Sequence, residues 1–492
     1  MRRIEFKREL GLFYGIIIGL NGAFGIEFFV LLEHAIFLAG PAVVLSLLLC
    51  GIITMLTLFS YCELGAAISR VGGEYTFAKV AFGGFTSFLT GWLRWISSVT
   101  TVALASIGLA QFISYFYPVN IPIVSVLAIV IFTFTSIRGV KKLDVLTVFS
   151  FIGIFTLLVT LGLYDQSKLV NLTSFSSIRT FMPKGVSGVL AGIMYTFSMF
   201  VGVRALIAGS TQIKNPEKNV PRAILLSIVI LIVLYCLVAF IVVGVAPENY
   251  EGSEPILTYA AERIMGPIGG TLITIAGISA ALMSLTTAMM VQRSIIYGLS
   301  RDGYFPRFIF SSERKFGRHL SVIIGSALAI LLAASGLIVF IGYIAGFASL
   351  LVFALVNLSL IRLRRVMPRL SRPFKAPLYP YASIAGVVIS LLLILFIERS
   401  ALLIGFEFIV AAVIVYHLKM VGYHRLRLAV GGINLGIGGL TLFTLYLMRR
   451  GIITIDLPQG LRWTFPYLPA FIGAIFLLAG ILNIAGRRRK EP

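Results

Sequence analysis

"GIIIGLNGAFGIEFFVLLEHA", residues 15–35, is apolar enough to enter a bilayer, yet it carries Gly19, Asn21, Gly22 and Gly25 close together and then Glu27. A glycine-rich interruption inside an apolar helix frees backbone N–H and C=O groups that hydrocarbon cannot satisfy. Such a break must be covered by protein or line a cavity. The carboxylate that follows it is costly in a bilayer and needs a reason of its own.

The rest of the chain supplies the setting. Its 59% hydrophobic and 12% charged residues and mean hydropathy of +1.00 lie far outside the range of a water-soluble domain. Apolar runs of about 18 or more residues recur near 11–33, 38–66, 85–115, 120–137, 145–164, 185–209, 222–246, 267–298, 319–341, 343–361, 381–397, 400–418, 428–447 and 464–486. The expectation is an all-α polytopic membrane protein of fourteen spans, or twelve or thirteen if the runs meeting at Gly342 or at Glu398 and Arg399 join.

A net charge of +22 raises a nucleic-acid partner, but the placement of the charge argues for topology instead. With a cytoplasmic N-terminus, the inner segments collect about 31 Lys and Arg against about 8 in the outer ones. They include Arg2, Arg3, Lys7 and Arg8, the Arg362 to Lys375 loop, and Arg487 to Lys490. Both termini are then expected in the cytoplasm of a cell-membrane protein, with attraction to anionic inner-leaflet lipid. The 247–262 loop, with Glu248, Glu251, Glu254 and Glu262, falls on the outer side. No cleavable signal peptide is visible.

Enzyme chemistry finds little support. Cys50, Cys62 and Cys236 lack C-x-x-C spacing, so neither a disulfide framework nor a metal site is implied. The histidines at 34, 319, 417 and 424 are scattered, and no catalytic triad or paired-carboxylate cluster shares a helix face. There is no phosphate loop for a primary pump, and no cofactor is expected.

A broken helix near the bilayer midplane is a transporter device, because half-helix ends attract charged groups of a substrate. A second interruption is expected in a second repeat, and "GVLAGIMYTFSMFVGVRALIAG", residues 188–209, supplies it where Ser198 and Gly202 precede Arg204. These are the first and sixth spans, a spacing that matches an inverted repeat of five spans against five. Either glycine set alone can instead serve close helix packing. The expected organisation is a cytoplasmic N-terminus (1–10), a first repeat (11–165), a second repeat (185–365), additional spans (381–486) and a basic tail (487–492).

Several ordered motifs resemble the amino acid-polyamine-organocation superfamily of transporters. "AGPAVVLSLLLCGIITMLTLFSYCELGAAISRVGGEYTFAKVAFG" (39–83) resembles its second span and inner loop, and "GWLRWISS" (91–98) the start of its third span. "KNPEKNVPRAI" (214–224), "SRDGYFPRF" (300–308) and "RPFKAPLYPY" (372–381) resemble three further loops. The resemblance covers roughly residues 10 to 390. It implies a ten-helix inverted-repeat core that binds an amino acid or amine between spans 1 and 6. The first-span break then falls on Gly19, Asn21, Gly22, Ala23 and Phe24, and departs from the usual G-S-G-I-F form. The sixth-span break falls on Met199, Phe200, Val201 and Gly202, whose carbonyls would face the substrate amine. Arg204 is the conspicuous departure from the resemblance, which implies an acidic residue at that position in many relatives.

Coupling and gating candidates follow. Glu27 either carries a coupling proton or binds a substrate amine, or it is a cap of the half-helix paired with Arg204 or Arg94. Arg204 either meets a substrate carboxylate or gates the inner side, or is structural. Arg94, between Trp92 and Trp95, reads first as snorkelling to the interface. Phe24, Phe197 and Phe200 can shape an apolar pocket. Ser284 and Thr286 fall where sodium-coupled relatives place ion ligands, although mid-helix hydroxyls also bond their own i−4 carbonyls. The fifth-span lysine of some relatives is replaced by Ser150 and Phe151. The favoured function is a secondary transporter of an amino acid or amine by alternating access, with protons as a candidate partner. The alternative is a transporter-like receptor that binds without moving its ligand.

Overall fold

The computed structural model describes residues 10–68, 73–138, 144–164, 175–209, 213–246, 250, 254–304, 315–421, 426–449 and eight residues between 469 and 481. Among them every regular element is helical, apart from one isolated bridge between Leu10 and Ile213. The elements are α1 (Leu12–Ala23), α2 (Ile26–Ala39), α3 (Val43–Ala67), α4 (Gly73–Ala81), α5 (Gly84–Phe116), α6 (Ile121–Arg138), α7 (Asp144–Tyr164), α8 (Ile178–Phe181) and α9 (Gly185–Val201). After a 3-10 turn at Gly202–Arg204 come α10 (Ala205–Gly209), α11 (Pro216–Val245), α12 (Ile256–Arg301), α13 (Lys315–Ser335), α14 (Ile338–Val366), α15 (Tyr381–Ile394), α16 (Arg399–Val421) and α17 (Leu426–Arg449).

Seven helices among the described residues are long and apolar enough to cross a membrane, and five shorter apolar helices accompany them. The expected span near 464–486 and both charged tails lie largely or wholly outside the described residues. One expected boundary moves. The helices do not divide at Gly342, which is buried inside α14, but at Gly336 and Leu337, because Gly336 takes φ 67° and turns the chain there. Part of the expected acidic outer loop is also helical: α12 begins at Ile256, includes Glu262, and kinks at Gly266 (φ 68°) before Pro267. The pyrrolidine ring of Pro267 offers no N–H to the preceding turn, and only glycine adopts the positive φ cheaply.

The chain forms two compact units, one of residues 1–302 and 306–397, the other of 303–305 and 398–492. In the first, α5 is the central post, packed along α12 and α14, while α1 lies on α11 and on the turn at Gly202–Arg204. Lipid offers little hydrophobic reason for helices to associate, so close packing of small residues must do it. The sequence of α5 meets that need. Its buried stretch is rich in Ser97, Ser98, Thr100, Ala103, Ala105, Gly108 and Ala110. A Cβ on Gly108 would strike Ile26 and Val30 of α2. The Phe112 ring in turn occupies the space that a side chain at Gly277 of α12 would need. Hydroxyls in α5 return their hydrogens to its own carbonyls, Ser98 to Trp95 O at 2.6 Å and Thr100 to Ser97 O at 2.9 Å.

Candidate functional site

The quoted stretch does break. α1 stops at Ala23, Phe24 and Gly25 leave the helix (φ −69°, ψ 54° and φ −90°, ψ 173°), and α2 begins at Ile26. Asn21, Gly22 and Gly25 are weak helix formers, so little propensity resists the break. The freed backbone groups have partners. Phe24 N–H donates to Leu20 O at 2.7 Å and Gly25 N–H to Ala23 O at 2.6 Å. Tyr235 of α11 donates its hydroxyl to Ala23 O at 2.8 Å, and Ile26 N–H donates to Ser284 Oγ of α12 at 3.0 Å.

The glycines divide into two kinds. Gly15 and Gly19 sit in the seam with α11, where a Cβ on Gly19 would meet the Ser227 hydroxyl. Ser227 Oγ donates to Ile16 O at 3.2 Å, so at Gly19 the small residue serves helix packing. Gly22 instead meets Gly202 backbone to backbone, and a Cβ on either would strike the carbonyl of the other.

The interruption expected over Met199 to Gly202 is confined here to a single turn. Met199, Phe200 and Val201 are buried in regular α9, and the chain tightens into a 3-10 turn over Gly202–Arg204 while keeping right-handed angles (Val201 φ −63°, Gly202 φ −61°). The irregularity is one turn long because the close approach to Gly22 requires only that Gly202 lack a side chain.

Glu27, the second residue of α2, folds its carboxylate back against the Gly25 backbone beside Ser284. Thr101 of α5 donates to its Oε1 at 3.0 Å. Aromatic rings surround this region. Phe28 stacks on Tyr235 at 3.9 Å between centroids and 7° between planes. Phe24 lies 5.6 Å from Phe151 and 6.4 Å from Phe155 and from Tyr235. Phe200 meets Tyr235 at 5.4 Å, whereas Phe197 faces Phe353 at 4.9 Å. Phe151, at the position without lysine, is thus part of this aromatic lining. Asn21 Oδ1 and Ser198 Oγ are buried with no hydrogen-bond partner among the described residues.

Glu27 has no ion pair among the described residues, which corrects its expected pairing with Arg204 or Arg94. Both arginines go to Glu74 of α4: Arg204 Nη1 and Arg94 Nε each lie 3.3 Å from Glu74 Oε1. Tyr61 of α3 donates to the same oxygen at 3.4 Å. Arg94, with 15% of its side chain exposed, is therefore held in an ion pair and does not snorkel. Burial pushes the Glu74 carboxyl up, but Arg204 and then Arg94 outweigh it and hold it below the usual carboxylate range.

Two more carboxylates at this end of the helices carry double cationic partners. Asp302 takes Lys79 at 2.7 Å and Arg301 at 3.6 Å, together with the Tyr75 hydroxyl at 2.5 Å. Burial pushes its carboxyl up, yet the hydrogen bonds from Lys79 and Tyr75 bring it below the ordinary value. Glu63 takes Arg364 at 2.5 Å and Arg372 at 3.2 Å, and accepts Ala376 N–H at 2.7 Å.

Glu74, Thr101 and Tyr235 were not singled out by sequence. Glu74 lies inside the "VGGEY" part of a quoted motif but looks like an ordinary loop acid, and Thr101 and Tyr235 carry no signal at all. Ser284 acts here as the acceptor for Ile26, while Thr286 Oγ1 donates to Leu282 O, its own i−4 carbonyl, at 2.9 Å. Among the described residues no group of three His, Cys, Asp or Glu is placed to hold a metal ion.

The chain is 24% identical over 429 residues to the branched-chain amino acid permease BcaP of Bacillus subtilis (strain 168), covering 80% of this chain and 88% of that protein. It is 24% identical over 419 residues to the methylthioribose transporter of the same organism, covering 79% and 88%. Identity to the gamma-aminobutyric acid permease of Escherichia coli (strain K12) is 23% over 393 residues, covering 76% and 84%. The sequence profile described as amino acid permease matches residues 15–428, and the chain belongs to the amino acid permease family.

Proposed function

We propose that the protein is a secondary active transporter that moves an amino acid or related amine across the cell membrane by alternating access, coupled to protons or working by exchange. The observation that carries this reading is the interruption of an apolar helix at Phe24 and Gly25, with the uncompensated carboxylate of Glu27 at its edge. Intramembrane carboxylates are costly and persist chiefly where they work. The substrate would lie at this break, with Gly22, Ala23 and Phe24 on one side and Met199 to Gly202 on the other. The repeat spacing of the sequence supports this placement, and the names of the permease relatives support the movement of an amino acid or related amine.

In this reading the two halves are five-span repeats of inverted topology, both termini are cytoplasmic, and the Glu74 cluster closes the cytoplasmic end. Arg204 ties the turn after α9 to α4 through Glu74, so opening that end requires the pair to separate. Glu27 is the acid on which a coupling proton would ride. Sodium is not the coupling ion in this reading, because the hydroxyl pattern of Met283, Ser284 and Thr286 is imperfect and Ser284 Oγ already accepts Ile26 N–H.

Purified protein in proteoliposomes tests it. A mixed pool of labelled amino acids and amines should be taken up, and uptake should respond to an imposed pH gradient or to internal substrate. Collapse of uptake when sodium is replaced by choline at fixed pH would overturn the coupling assignment. Saturable binding with no movement of label under any gradient would overturn transport.

A further inference from the structure

The segment joining α14 to α15 carries six Lys and Arg between 362 and 375, and no Asp or Glu lies anywhere from 314 to 397. Helix α14 is long and apolar enough to cross a membrane, and α15 is a shorter apolar helix. The segment between them therefore emerges at the boundary of bilayer and water. Its folding sorts the six cations into two sets.

Two of them work inside the protein. Glu63 of α3 takes Arg364 Nη2 at 2.5 Å and Arg372 Nε at 3.2 Å, and it accepts Ala376 N–H at 2.7 Å. Arg372 also donates to Leu363 O at 3.1 Å, Met367 O at 2.8 Å and Leu370 O at 2.9 Å, which closes the end of α14. The Arg364 guanidinium lies over the Tyr379 ring at 3.9 Å. The segment is thus a strap pinned at three points to one buried carboxylate.

Arg362, Arg365, Arg369 and Lys375 form the other set. All four are exposed, and none has an ion pair among the described residues. Arg362 lies over the Phe82 ring at 4.9 Å, which extends the basic surface to the end of α4. Apolar side chains stand open beside them, with Val366 61%, Leu378 70% and Tyr381 77% exposed. In water this arrangement is unfavourable, because like charges repel and apolar surface stays wet. Against a bilayer it is favourable. Headgroup anions meet the cations, and the apolar side chains reach the acyl boundary, where the amphipathic ring of a tyrosine settles.

We infer that the strap is a docking surface for anionic phospholipid, whose headgroups sit on Arg362, Arg365, Arg369 and Lys375. Arg364 and Arg372 shape this surface from behind through Glu63. The site stands apart from the helix break and does not depend on what the protein moves.

The test uses the purified full-length protein in detergent, with phosphatidylglycerol and phosphatidylcholine of identical acyl chains as probes and retained lipid counted by native mass spectrometry. Phosphatidylglycerol should be preferred by about tenfold or more, since each cation near an anionic surface is worth roughly fivefold. Replacing the four together, as Arg362→Gln, Arg365→Gln, Arg369→Gln and Lys375→Gln, should erase the preference without changing thermal unfolding, because the pairs on Glu63 are untouched. Arg362→Lys, Arg365→Lys and Arg369→Lys together should keep most of it. If the fourfold variant does not fold, Arg369→Gln with Lys375→Gln should still lower the preference several-fold. Lys214→Gln, Lys218→Gln and Arg222→Gln, a matched change at another basic segment, should leave it unaltered. Equal retention of the two lipids by the unmodified protein would overturn the inference, as would a preference that survives the glutamine changes in the strap. Displacement of phosphatidylglycerol by inorganic phosphate would overturn it too, marking a site for free anions.

Discussion

Two groups of carboxylates in one bundle are treated in opposite ways. At the end near α4, Glu74, Asp302 and Glu63 each hold two cationic side chains. At the break, Glu27 accepts from a backbone N–H and from the Thr101 hydroxyl and has no ion pair among the described residues. Arg204 and Arg94 act on it at longer range without forming a pair, since both are committed to Glu74. A buried carboxylate with two cations is locked, because separating the group strands charges in a poor solvent. One held by neutral donors alone, without a cation, can take up a proton without stranding a partner charge. Among the described residues the buried arginines therefore meet carboxylates at the α4 end, and the acid at the break is left without an ion pair.

The comparison breaks most visibly at Glu74. Glu74→Ala leaves Arg204 and Arg94 buried together without their shared anion, and should lower stability by about 3–5 kcal/mol, read as thermal unfolding in detergent. The pH dependence follows from the lowered folded-state carboxyl. Such a group contributes fully above the ordinary carboxylate range and loses its contribution as pH falls through the depressed value. The gap between wild type and Glu74→Ala should thus be constant near neutrality and close only in strong acid. A gap that grows on acidification would contradict the pairing.

Gly202→Val should come next. Its side chain must enter the space of the Gly22 carbonyl, an overpacking cost of about 1–3 kcal/mol. Ligand-induced thermal stabilisation should vanish in the same variant, because the two backbones can no longer meet. Ser284→Ala removes the acceptor for Ile26 N–H and should cost ~1 kcal/mol, the ordinary loss of a helix cap. Thr286→Val removes only a hydroxyl bonded within its own helix and should shift stability by less than about 0.5 kcal/mol. Equal effects at 284 and 286 would erase the distinction between a residue serving the break and a bystander.

How much of this was legible beforehand depends on the range of the interaction. The break at Phe24 and Gly25 announces itself locally, since glycines and Asn21 in an apolar run oppose a continuous helix whatever the surroundings. Glu27 is equally visible as an acid where hydrocarbon is expected. The partners of Arg204 were not visible. Glu74 stands 130 residues earlier in a nine-residue helix between longer ones, and nothing in either segment encodes the meeting. Gly202 was read as an opening of the helix, whereas it serves a contact that needs only the absence of a Cβ. The boundary at Gly336 was missed for a related reason, because composition marks Gly342 as strongly and only the positive φ separates the two.

The most direct measurement is transport by Glu27→Gln in proteoliposomes, at substrate concentrations high enough to fill a weakened site. If the uncompensated acid at the break couples transport, the variant should still exchange substrate across the membrane, because alternating access and the Gly22 to Gly202 contact are untouched. Accumulation driven by an imposed pH gradient should be lost. Gradient-driven accumulation with an unaltered pH profile in Glu27→Gln would contradict the account, and would return Glu27 to the role of a helix cap.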